Sequence, residues 1–203
     1  NDGGDIGYIA VIGNDWVCSS QPSDSAMGVI VYQTADSGST WNRIAGISLS
    51  ALDPLLLNNG SLYQAGDRFD IGVDKHNNLH IGLPVVPFLP GNAIAPSYPQ
   101  GSFGLFDITL NASTGNSDAC LLSHVKSYYG GNPVSPDTLL LEDNRIQFSR
   151  SWDGSKIFFT WFDTDTAFYA TVLNNYPDMH SIGYDVDQNL WTSDFNFTAG
   201  TGL

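Results

Sequence analysis

Thr34-Ala35-Asp36-Ser37-Gly38-Ser39-Thr40-Trp41 lies between an apolar run, Val29-Ile30-Val31-Tyr32, and a shorter one around Ile44. Read physically, it is a hairpin turn. The short carboxylate of Asp36 accepts hydrogen bonds from the turn's own backbone N–H groups, and Gly38 takes a positive φ at no steric cost. Trp41 opens the returning strand, where its ring covers the turn. Thr34, Asp36, Gly38, Thr40 and Trp41 are therefore assigned a structural role.

The rest of the chain has the same texture. Its 203 residues include 21 glycines and 10 prolines, and 42% are hydrophobic, far from a disordered composition. Turn residues recur throughout, while good helix formers are scarce: Glu142 is the only glutamate. An all-β fold is expected. The net charge of −14 comes almost wholly from aspartates spread over turns, so phosphate backbones are repelled and nucleic acid is excluded as a partner. No apolar run is long enough for a transmembrane helix, so membrane insertion is not expected.

Three units of similar layout can be superposed in the sequence, at about residues 5–49, 69–125 and 146–198. The second and third each supply four strands; the first starts late and lacks its inner strand. Four antiparallel strands per unit is the layout of a β-propeller blade, and about three blades cannot close a ring. The expectation is a single partial β-propeller domain, with a sandwich carrying long loops as the alternative. Between units one and two, Leu49, Leu52 and Leu55 to Leu57 suggest a short helical turn or a buried loop. Residues 84–99 are expected to be a loop, because proline cannot donate to a central ladder.

The pattern [Ser/Thr]-x-Asp-x-Gly-x-Thr-Trp at residues 34–41 resembles the Asp-box (BNR repeat) of sialidase-like β-propellers. A second resemblance runs from Ser149-Arg150-Ser151-Trp152-Asp153-Gly154-Ser155-Lys156-Ile157-Phe158-Phe159 through Trp161-Phe162-Asp163-Thr164-Asp165. It continues in Asn174-Asn175-Tyr176-Pro177-Asp178 and Ile182-Gly183-Tyr184-Asp185-Val186 to Leu190-Trp191-Thr192, with Gly7-Tyr8-Ile9-Ala10 at the start. These pieces look like surface proteins of the Bacteroidetes that are exported by the type IX secretion system. That resemblance implies a secreted protein or one held on the extracellular face of the outer membrane. Its implied partners are surface glycans or outer-membrane secretion and surface-complex proteins. Asp24-Ser25-Ala26, Asp137-Thr138-Leu139 and Asp165-Thr166-Ala167 match the short O-glycosylation pattern of such bacteria, making Ser25, Thr138 and Thr166 glycosylation candidates.

A sialidase needs an arginine cluster for the substrate carboxylate, a Tyr–Glu pair and an acid. Arg43, Arg68, Arg145, Arg150 and Glu142 are the available parts, and Arg145 with Glu142 reads more simply as a solvated loop pair. Paired-carboxylate chemistry has candidates in Asp67/Asp70/Asp74 and Asp163/Asp165, whose plainer reading is strand and turn termination. Asp185, Asp187 and Asn189 place oxygens at alternate positions, as calcium loops do, and a structural calcium ion is set beside simple turn capping. Cys18 and Cys120 are either one disulfide or two free thiols. The histidines show no metal spacing. Loop aromatics such as Trp16, Tyr98, Tyr128, Tyr129 and Trp152 are suited to stacking on sugars or to blade packing and loop anchoring. The reading is a non-catalytic module for binding or assembly, carbohydrate binding included; the alternative is a fragment of a sialidase-like or other glycoside hydrolase.

Overall fold

A computed structural model describes residues 6–13, 28–47, 49–57, 60, 62–66, 68–88, 104–111, 113–126, 144–164 and 177–199. Among these residues the fold is all-β, with one 3-10 helix at Leu49–Leu55 and no helix long and apolar enough to cross a membrane.

The strands form three antiparallel sheets, each a meander in chain order, and none is closed on itself. Sheet one contains β1 (Gly7–Gly13), β2 (Gly28–Thr34) and β3 (Asn42–Ile47). Sheet two contains β4 (Leu62–Ala65), β5 (Asp70–Val73), β6 (Leu79–Phe88), β7 (Gly104–Leu110) and β8 (Ser117–His124). Both β4 and β5 pair with β6, Ala65 opposite Val85 and Asp70 opposite Gly82, so together they are one edge strand with a break. Sheet three contains β9 (Gln147–Arg150), β10 (Lys156–Thr164), β11 (Pro177–Asp185), β12 (Leu190–Trp191) and β13 (Phe195–Asn196). Its far edge is likewise interrupted, with β12 and β13 both on β11.

Two expectations are corrected here. Residues 62–65, assigned to a connection, are strand β4, and the prolines at 84 and 87 lie inside the central strand β6. Pro84 fits because of the break beside it. Its carbonyl accepts the Gly66 N–H at 2.8 Å, so its side of the backbone faces the gap between β4 and β5, where no donor is needed. The leucine-rich connection does form a helical turn, the 3-10 helix.

Sheet two is the middle layer of the stack. Alternate residues point to opposite faces of a strand. Leu79, Ile81, Leu83 and Val85 of β6, with Phe106, Ile108 and Leu110 of β7, pack with Val29 and Val31 of sheet one. The opposite face, through Leu105 and Leu122, packs on Ile157, Phe159, Trp161 and Ile182 of sheet three. Here aromatic rings sit on glycines: a Cβ at Gly72 would lie 1.8 Å from the Phe148 ring, and one at Gly82 would lie 2.7 Å from the Phe159 ring.

The outer sheets differ from the middle one. Ile9 and Val11 of sheet one are 43% and 44% exposed, and Phe158 and Phe195 of sheet three are 42% and 61% exposed. The stack thus ends in apolar side chains on both sides.

Candidate functional site

The five hairpin turns among the described residues gather at one end of the stack, and an Asx or hydroxyl side chain closes each. At the first, Asp36 accepts the Thr40 N–H at 2.8 Å and the hydroxyls of Thr34 and Thr40, both at 2.7 Å, while Gly38 N–H donates to the Thr34 hydroxyl. Gly38 sits at φ 90°, and the Trp41 ring lies against both Gly38 and Gly7. The bonds from Thr40 and Thr34 hold the Asp36 carboxyl down at about 2. Asp153 repeats the device, accepting from Ser151 and Ser155, and is likewise held at about 2. Asp74, Asn111 and Asp185 close the other turns through their own backbone N–H groups. Neighbouring turns are tied together, with Tyr8 donating to the Asn77 carbonyl and the Lys75 N–H to the Gly154 carbonyl.

The side chains considered for calcium belong to this end. Asp185 accepts the N–H groups of Asp187 and Gln188 and pairs with Lys156 at 2.5 Å; Asp187 pairs with Lys75. Asn189 accepts the Tyr184 hydroxyl at 2.7 Å. Each of the two carboxylates thus has its own lysine ammonium partner. Among the described residues no group of three or more His, Cys, Asp and Glu is placed to hold a metal ion.

Between sheets two and three lies a buried ionic cluster. His80 Nδ1 is 2.7 Å from Asp107 Oδ2, and its Nε2 is 3.6 Å from Asp74 Oδ2, too far for a hydrogen bond but near enough for the charge to act. Burial alone would lower the His80 pKa; the contacts with Asp107 and Asp74 outweigh it and raise it to about 9. The imidazole is closed off from solvent by Phe148 and Tyr184 of sheet three, so the ionic contacts, all made within sheet two, are buried beneath sheet three.

Asp163 and Asp178 stand directly opposite each other on β10 and β11. Each is buried and engaged: Asp163 accepts the Lys126 N–H at 3.0 Å, and Asp178 accepts Asn196 and Thr198. They anchor chain crossings. The partner considered from sequence for Asp163 was Asp165, which lies outside the described residues, as do Asp67 and Glu142.

Cys120 carries a free thiol in this structure. Burial, with Asp107 and Asp118 nearby, pushes its pKa up. Cys18 and the glycosylation candidates Ser25, Thr138 and Thr166 lie outside the described residues.

One open cleft has the chemistry of recognition. Arg68, in the break between β4 and β5, and Arg145, just before β9, line the same cleft of about 530 Å³ with Phe69, Ile146 and Gln147. Sheets two and three meet along this edge, where β5 packs beside β9 and Arg150 donates to the Val73 carbonyl at 2.7 Å. Arg145 is held at φ 45°, an uncommon conformation for a non-glycine residue. Half of the arginines of a strongly acidic chain thus converge on one site. Two arginines and an aromatic residue lining one cleft suit a carboxylate with an apolar or sugar body. Sequence reading treated Arg145 as a loop residue and left Arg68 unplaced, because nothing local joins them.

Comparison with protein-family models, curated proteins and solved structures finds no match for this chain.

Proposed function

We propose that this chain is a non-catalytic β-propeller module, secreted or held at the cell surface, which binds an anionic ligand at the Arg68/Arg145 cleft. The observation that carries the proposal is the cleft itself: two arginines, an aromatic residue and an amide converge there. Those groups recognise a carboxylate and do not break bonds. Support for the propeller comes from the stack. Its middle sheet is buried on both faces, and apolar residues of the outer sheets remain exposed, as in consecutive blades. An acidic surface glycan is the ligand class that fits this cleft together with the Bacteroidetes resemblance, and type IX export is the matching route to the surface.

The arginine pair also favours a second reading, a fragment of a sialidase-like or other glycoside hydrolase whose acid and nucleophile lie elsewhere. An array of acidic and neutral glycans, run beside fluorogenic glycosides, separates the two. The proposal expects retention of carboxylate-bearing glycans, no turnover, and loss of retention in Arg68→Ala. Turnover of any glycoside supports the second reading, and equal retention of neutral glycans contradicts both.

A further inference from the structure

We propose that the edge of β1 that no described strand pairs with joins β1 of a second copy of this chain, making two three-stranded sheets one continuous sheet across a two-fold axis. This concerns a different part of the molecule from the arginine cleft and does not rest on it.

Among the described residues a place is left beside β1. Sheets two and three each have a further strand on the N-terminal side of their long central strand, β4 with β5 beside β6 and β9 beside β10. In sheet one, among the described residues, β1 pairs only with β2.

This edge also has none of the usual protections. An exposed edge is normally blunted by charge, proline, a bulge or brevity. The other edges follow that rule. β3 carries Arg43 and a register shift against β2, and β8 carries Asp118 and a register shift against β7. The β4–β5 edge and the β12–β13 edge are broken, and β9 is four residues long. β1, Gly7-Tyr8-Ile9-Ala10-Val11-Ile12-Gly13, has no charge, no proline and an unbroken register.

The residues of β1 select the occupant. The β1 sequence is self-complementary when laid antiparallel on itself. Centring Ala10 on Ala10 puts Gly7 opposite Gly13, Tyr8 opposite Ile12 and Ile9 opposite Val11. The exposed side chains of Ile9 and Val11 then become cross-strand neighbours of Val11 and Ile9 of the second copy. On the same face Tyr32 stands beside Ile9 and Ile30 beside Val11, so one apolar stripe runs unbroken through the axis. The contact is isologous and self-limiting, as a closed dimer requires. The paired strands themselves carry no charge.

Sedimentation velocity over a concentration series tests this, using the 203-residue chain and an Ile9→Lys/Val11→Lys variant. Wild type is expected to shift from monomer to dimer with concentration, and the variant to stay monomeric with the same melting temperature, since both side chains face solvent. Wild type that stays monomeric throughout overturns the proposal, as does a dimer that survives in the folded variant. Should the variant not fold, hydrogen exchange of the wild type decides. Protection at alternate β1 amides that grows with concentration supports pairing, and protection independent of concentration overturns it.

Discussion

His80 Nδ1 and Asp107 Oδ2 lie 2.7 Å apart with both residues essentially closed to solvent, at 1% and 0% exposure. A charge pair so placed stabilises the fold only while both members are ionised. The folded-state pKa of His80, about 9, exceeds the ordinary 6.5. Its contribution is therefore complete below pH 6.5 and disappears as pH climbs through about 9. Chemical denaturation between pH 6 and 10 should show an alkaline loss of a few kcal/mol. Asp107→Asn should cost about 3–5 kcal/mol at neutral pH, because an imidazolium is left poorly compensated, and should flatten that alkaline limb. A variant that melts like wild type would show that the pair carries no stabilising charge.

The Asp36 turn makes the opposite pH prediction. Its folded-state pKa of about 2 lies below the ordinary 3.8, so its contribution is present above 3.8 and disappears as pH falls towards 2. Asp36→Ala should lower the melting temperature at pH 7, with the gap to wild type closing in acid. Glycan retention should be unchanged, because the turn belongs to sheet one and the cleft to the edge of sheets two and three. Lost retention at an unchanged melting temperature would assign this turn to binding.

Gly72 and Gly82 are seats for aromatic rings. Alanine at Gly72 drives a methyl group into Phe148 and should destabilise by at least the 1–3 kcal/mol typical of overpacked cores. Gly72→Ala combined with Phe148→Leu should recover part of that loss in urea unfolding. Simple additivity of the two changes would rule out a steric origin.

Cys120 is half-buried and its pKa is raised by burial and by Asp107 and Asp118. Mass spectrometry resolved by peptide should find it alkylated slowly in native buffer at pH 8 and readily in denaturant. Rapid native alkylation would contradict the packing of β8 against its neighbours.

How much of this was legible in the chain depends on the range of the interactions. The turn at Asp36 announces itself because donor, acceptor and glycine lie within a few residues, and the same holds for Asp153-Gly154. Strand β4 was missed because Leu62-Tyr63-Gln64-Ala65 is short and follows a leucine-rich helical turn. Pro84 and Pro87 argue against a central strand; the break in the neighbouring edge accommodates Pro84, while Pro87 stands opposite Tyr63 of β4, beyond the end of the β6–β7 pairing. Gly72 and Gly82 did carry a signal, since an isolated glycine in a strand marks close approach, but the ring that approaches is set by sheet packing. His80 with Asp107 is a diagonal contact between β6 and β7, visible only once their register is known. Arg68 and Arg145 meet solely because sheets two and three share an edge.

The central claim is that those two arginines form the binding site of a module that performs no catalysis. Calorimetric titration with free N-acetylneuraminic acid and with glucuronic acid, on wild type and on Arg68→Ala/Arg145→Ala, tests it most directly. Saturable binding of at least one acid by the wild type, absent in the folded double variant, with the sugar recovered unchanged, is the expected result. Binding that survives loss of both arginines, or no binding of either acid by the wild type, would contradict it.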